Sequence, residues 1–141
     1  MNTSEWFAFA AILVAALSAL YARWAWSEAH KANKISLHGH KKEIYDAFFE
    51  LKMHMEQEED LAERDHIHKF YYGSRNARFY FCEKIADKLQ NYFDQCFYIA
   101  DLNSTKITQE QRFDLMDKVK VAKALSVEIE KLISEDIKLS D

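Results

Sequence analysis

Hydrophobic and polar positions divide this chain at Trp26. From Trp6 to Trp26 the sequence WFAFAAILVAALSALYARWAW is apolar on every side and carries one charge, Arg23. A helix with no polar face belongs in a core or a bilayer, and at about 1.5 Å per residue this one covers roughly 30 Å, the thickness of a hydrocarbon layer. Trp6 stands at one end and Tyr21, Trp24 and Trp26 at the other, where amphipathic rings favour the headgroup level; Arg23 can snorkel outward along its stem. The pattern predicts a transmembrane helix over 6–26 behind a short extracytoplasmic N-terminus, 1–5. Within it Ala8, Ala11, Ala15, Ala19 and Ala22 recur at steps of three and four, while Phe9, Leu13, Leu17, Leu20 and Trp24 line another face. Small side chains let helices approach closely in lipid, so the alanine stripe is a candidate association face for a second copy or a membrane partner.

A secretory signal is the rival reading, because Ala16-Leu17-Ser18 loosely resembles a cleavage site; the segment ahead of the apolar run holds Glu5 and no Lys or Arg, the reverse of a signal's n-region. Behind the span come Arg23, Lys31, Lys34, Lys41 and Lys42 against a single acid, Glu28. The positive-inside rule then places the N-terminus outside and the bulk of the chain in the cytoplasm, which for a bacterial chain means the inner membrane. Residues 27–43 form a basic juxtamembrane helix, and its four lysines together with Arg23 are candidates for anionic lipid headgroups, at about 1 kcal/mol per base near the surface. Topology determinants alone would look the same.

Beyond Lys41 the apolar residues take helical spacing, and 44–141 reads as one cytoplasmic bundle. Ile44, Tyr45, Phe48, Phe49, Leu51 and Met55 make a first stripe, ended by the acidic run from Glu56 to Asp65. Asp60 and Glu63 fit a cap opening a short helix at Leu61, which Gly73 would end in a left-handed C′ position. A long helix over 74–102 follows, with Ala77, Phe81, Ile85, Leu89, Tyr92, Cys96 and Ile99 in one stripe and Phe93 and Phe97 widening it. Asn103-Ser104-Thr105 reads as a loop. Thr108 and Gln111 form a capping box for a last helix reaching about Lys138, with Phe113, Met116, Val119, Ala122, Ile129, Leu132 and Ile133 as its stripe and Leu115, Leu125 and Val127 as further apolar positions. The expected fold is all-α: one N-terminal transmembrane helix continuing, or hinged at Gly39, into a cytoplasmic antiparallel bundle of about three long helices packed in coiled-coil fashion.

Composition agrees with helices. The chain of 141 residues has no Pro, two Gly, 49% hydrophobic and 30% charged residues, whereas a β fold draws on Gly and Pro at every turn. A net charge of −4 disfavours a general nucleic-acid binder. Cys82 and Cys96, about four turns apart on the expected helix, read as buried thiols of a reducing compartment.

Chemistry finds little purchase in the sequence. His38-Gly39-His40 and His66-Ile67-His68 have i, i+2 spacing, which points side chains apart on a helix, and Glu50, His54 and Glu58 share a face without a further ligand. Phosphate-binding glycine loops, nucleophile elbows, zinc motifs and C-x-x-C are all missing. No cofactor or metal is expected, and no catalytic residue is assigned. The densest aromatic and basic stretch holds Phe70, Tyr71, Tyr72, Arg75 and Arg78, candidates for partner binding or for core packing. A-N-K-I-S-L-H ahead of K-K-E-I-Y-D-A-F-F, between Ala29 and Phe49, resembles the juxtamembrane region of small bacterial proteins with one span and a helical tail, a resemblance that implies no activity. The sequence therefore points to a non-enzymatic single-pass membrane protein whose bundle binds a partner or self-associates. Its alternatives are a membrane effector of toxin or anti-phage type that assembles through the span, and a ligand sensor or enzyme without a recognisable motif.

Overall fold

The computed structural model describes residues 2–103 and 108–139, and within them every regular element is a helix, with no strand. The elements are α1 (Thr3–Glu58), a short 3-10 turn (Glu59–Leu61), α2 (Arg64–Lys69), α3 (Tyr71–Tyr80), α4 (Glu83–Asn103) and α5 (Gln109–Leu139). They group into two compact units, 1–37 and 38–141. Of the expected loop after α4, Asn103 is helical, and Ser104 and Thr105 lie outside the described residues.

The first unit is the leading part of α1. Nothing in it interrupts a helix, since it holds neither Pro nor Gly. It buries no side chain within itself: Trp6, Phe9, Leu13, Leu17, Leu20, Trp24 and Trp26 are all exposed. Its one hydroxyl in mid-run, Ser18, donates to the Val14 carbonyl at 2.8 Å, so the polar atom is satisfied inside the helix.

The second unit has a continuous core. The end of α1 contributes Ile44, Phe48, Leu51 and Met55; α2 and its C-cap contribute Ile67 and Phe70; α4 contributes Ile85, Leu89, Tyr92, Phe93, Cys96 and Ile99; α5 contributes Leu115, Ala122, Ile129 and Ile133. Phe48 lies at the centre, its ring edge-on to Tyr92 at 5.4 Å and tilted against Phe70 at 6.2 Å. Pairings fix how the legs run. Lys41 binds Asp136 at 2.7 Å and Lys52 binds Glu130, so numbers rise along α1 as they fall along α5. Lys88 with Glu128 and Tyr98 with Asp114 give the same opposed sense for α4 and α5. Tyr71 against Phe93 and Arg78 with Asp87 give it for α3 and α4.

Gly73 and its neighbours depart from expectation. Gly73 lies inside α3 with a normal negative φ and ends no helix; the breaks fall instead at Phe70, between α2 and α3, and at Phe81, which is extended at φ −114° and ψ 161°. Both breaks turn a phenylalanine into the core. A Cβ on Gly73 would stand 2.9 Å from Phe70 Cδ2 and Cε2, so glycine is there for the close approach of the ring. The 61–73 and 74–102 helices of the sequence reading are therefore replaced by three pieces, α2, α3 and α4. Leu61 closes the 3-10 turn, and Glu63, though the N-cap of α2, makes no side-chain cap bond. Gly39 lies within α1, which is one unbroken helix from Thr3 to Glu58.

In α5 the capping box forms as spacing predicts: Thr108 N donates to Gln111 Oε1 at 2.9 Å and Gln111 N to Thr108 Oγ1 at 3.4 Å. The buried stripe, however, is Leu115, Ala122, Ser126, Ile129 and Ile133, while Phe113, Met116 and Val127 face outward. Ser126 conceals the pattern. Buried among apolar side chains, it satisfies its hydroxyl by donating to the Lys123 carbonyl at 2.7 Å.

Candidate functional site

The exposed side of α1 in the first unit carries a regularity finer than the alanine stripe. Ser4, Ala8, Ala11, Ala15, Ser18, Ala22, Ala25, Ala29, Ala32 and Ser36 follow one another at alternating steps of four and three, and every position on that count is Ser or Ala. All are exposed. This is a heptad seam built of small residues. On an α-helix it drifts about 20° per heptad, the drift a left-handed supercoil absorbs. Phe9, Leu13, Leu17, Leu20 and Trp24 stand opposite it. The reading from sequence had Ala8, Ala11, Ala15, Ala19 and Ala22; the stricter count exchanges Ala19 for Ser18 and runs on past the apolar stretch through Ala25, Ala29, Ala32 and Ser36. The signal was available as a period of 3.5 rather than 3.6.

The basic residues after the apolar run separate into two kinds. Arg23, Lys31, Lys34 and Lys42 are exposed, Lys31 in a 3.0 Å pair with Glu28. Lys41 is not among them. It is 7% exposed, bound to Asp136 and set 5.6 Å from the centre of the Phe81 ring, so it fastens α1 to α5 inside the bundle and has no headgroup to meet.

The aromatic and basic stretch divides similarly. Phe70 is 1% exposed and belongs to the core, which corrects its place among the partner-binding candidates. Tyr71 packs edge-on to Phe93 with Arg75 over its outer face at 5.6 Å, and Arg78 is held by Asp87 at 2.9 Å. Tyr72 and Phe79 are left largely open on α3. Tyr71, Tyr72 and Arg75 are thus neighbours at the surface, while Arg78 already has a partner.

No family model, curated protein or solved structure matches the chain. The remaining groups must be read from their own surroundings. Cys82, expected to be buried on one helix with Cys96, is exposed in the gap between α3 and α4. Cys96 is buried, and burial pushes its thiol up to about 12, out of reach of nucleophilic use at neutral pH. Burial likewise raises the Tyr92 phenol, with Cys96 adding to the shift and a hydrogen bond with Ser126 opposing it. Lys52 is raised above its ordinary value chiefly by its hydrogen bond to Glu130, which favours the charged ammonium. Among the described residues no three His, Cys, Asp or Glu side chains gather as metal ligands. Glu50, His54 and Glu58 in particular do not converge: His54 Nε2 accepts from the Glu63 backbone N–H at 3.0 Å and its ring stacks on His66 at 4.4 Å. That pairing, between residues on separate helices, has no signature in the sequence.

Proposed function

We propose that the protein is a single-pass membrane protein of the inner membrane, N-terminus out, that self-associates through the small-residue seam of α1 and carries a cytoplasmic antiparallel helical bundle. The observation that carries this reading is the seam itself, from Ser4 to Ser36. Lipid supplies no hydrophobic drive for helix pairing, so close backbone approach along small side chains is the means by which spans associate. The same phase continues through Ala29, Ala32 and Ser36, beyond the apolar run, where a water-bathed helix would have no reason to keep it unless a second helix lay alongside. A leader removed on export would gain nothing from that continuation.

Three further observations support the membrane. The best window of α1 has a mean hydropathy of 1.8 with none of it buried, unlike a core helix. The opposite face offers Phe9, Leu13, Leu17 and Leu20 to lipid. Exposed Arg23, Lys31, Lys34 and Lys42 follow the run, as cytoplasmic flanks do. Anionic headgroups are the expected company for these four. The activity is association rather than catalysis, with Tyr71, Tyr72 and Arg75 as the part of the bundle surface best suited to a partner.

Orientation and anchoring are tested together by Cys82. In carbonate-washed membranes the protein stays in the pellet. A membrane-impermeant maleimide leaves intact cells unlabelled and labels Cys82 once the cells are opened, with Cys96 reacting only after unfolding. Recovery in the supernatant, or labelling of Cys82 in intact cells, contradicts the reading.

A further inference from the structure

The connection between α1 and α2 holds a cluster that the association reading does not use. His54, near the end of α1, takes a hydrogen bond at Nε2 from the backbone N–H of Glu63, the N-cap of α2. Its ring lies face to face with that of His66, centroids 4.4 Å apart and planes 17° from parallel. His66 Nδ1 sits 3.3 Å from Glu63 Oε2. Between the two helices, Glu59 adopts φ 50°, a left-handed backbone on a residue that is not glycine, a conformation costing on the order of 1–2 kcal/mol unless its surroundings impose it.

We propose that His54, Glu63 and His66 form an acid-sensitive latch that closes the α1–α2 connection when His54 is neutral and releases it when His54 takes up a proton. An imidazole can accept the Glu63 N–H only through an unprotonated nitrogen. Protonation at Nε2 turns acceptor into donor, removes this tie from α1 to the N-cap of α2, and faces the new cation with the neighbouring imidazole. The turn at Glu59 keeps its packing on α4 and α5 but loses this tie, and its left-handed backbone relaxes. Ile67 and Phe70, fully buried below, keep the rest of α2 in place, so the opening is confined to the connector.

The charges around the ring set the direction. Burial is the largest influence on His54 and disfavours its cation; His66 and Lys69, both on α2, act the same way. Glu58 on α1 and Glu63 at the N-cap favour the cation less strongly, and Glu50 lines the same surface hollow. The balance lowers the pKa below the ordinary 6.5. The unfolded connector therefore binds a proton more readily than the closed one, and the closed form keeps its full stability above 6.5 and loses it as pH falls toward the depressed value.

Amide hydrogen exchange on the full chain in detergent, at about pH 7.5 and about pH 5 and corrected for the intrinsic pH dependence of exchange, tests the latch against the α4 amides as reference. Exchange over 59–64 should rise about tenfold in acid, the effect of one lost hydrogen bond to an ordered backbone. In H54Q the amide oxygen accepts from Glu63 at either pH, and the rise should vanish. Equal acid responses in the wild type and H54Q overturn the proposal. If H54Q fails to fold, the imidazole 15N signals of the wild type decide: Nε2 unprotonated at neutral pH supports the latch, and a proton on Nε2 there overturns it.

Discussion

Gly39 and Gly73 are the same residue type within one protein, and they do opposite things. Gly39 sits in α1 with open space where a Cβ would be, whereas a Cβ at Gly73 meets the buried Phe70 ring at 2.9 Å. Gly39→Ala should stabilise the helix by about 0.5–1 kcal/mol, the ordinary gain in propensity. Gly73→Ala should lose about 1–2 kcal/mol, because overpacking at roughly 1–3 kcal/mol outweighs that gain. Thermal melts of the two variants check the opposite signs. From sequence alone Gly73 stood among Tyr72, Ser74 and an expected helix end, and punctuation was the natural reading. The ring it accommodates is three residues back in sequence, and only the turn at Phe70 brings that ring beneath it. Lys41 teaches a similar lesson: four of the five cations after the span are exposed, and nothing local marks the one that pairs with Asp136, far along the chain.

At the scale of elements, spacing predicted well wherever the buried stripe is apolar without a gap. Ile85, Leu89, Tyr92, Cys96 and Ile99 are all buried as their positions require, and so are Ile44, Phe48, Leu51 and Met55. Two things escaped. The chain between the acidic run and α4 is two short helices whose breaks, at Phe70 and Phe81, lack Gly or Pro and are set by rings turning inward. In α5, a buried serine at 126 shifted the apparent phase at the start of the helix. Leu115→Ala should accordingly cost about 2–5 kcal/mol, the usual loss for a buried leucine, while Phe113→Ser, two residues earlier but exposed, should stay within about 0.5 kcal/mol of the parent. Denaturant titration of the pair distinguishes the structural phase from the one suggested by apolar residues alone. The His54–His66 stack belongs to this scale too, since it joins residues of two helices through a turn that sequence periodicity does not describe.

For the whole molecule, the second unit buries its apolar residues within itself and the first buries none. A helix carries Trp6, Phe9, Leu13, Leu17, Leu20 and Trp24 in the open, and under the proposed function the bilayer with a second α1 would cover it on two faces: lipid against the large residues, the partner helix against Ala and Ser. The large face was legible as hydropathy. The small face was legible only in part, because alanines at mixed steps of three and four suggest a stripe of some period, and the strict heptad emerges when the count is carried past Trp26 into the polar segment. Disulfide crosslinking in native membranes, using single cysteines introduced along α1 after Cys82 and Cys96 are replaced, tests this arrangement most directly. Crosslinks between copies at Ala11, Ala15, Ser18, Ala22 and Ala29, with none at Leu13, Leu17 or Leu20, are predicted; crosslinks favouring the leucine face, or none at any position, contradict it.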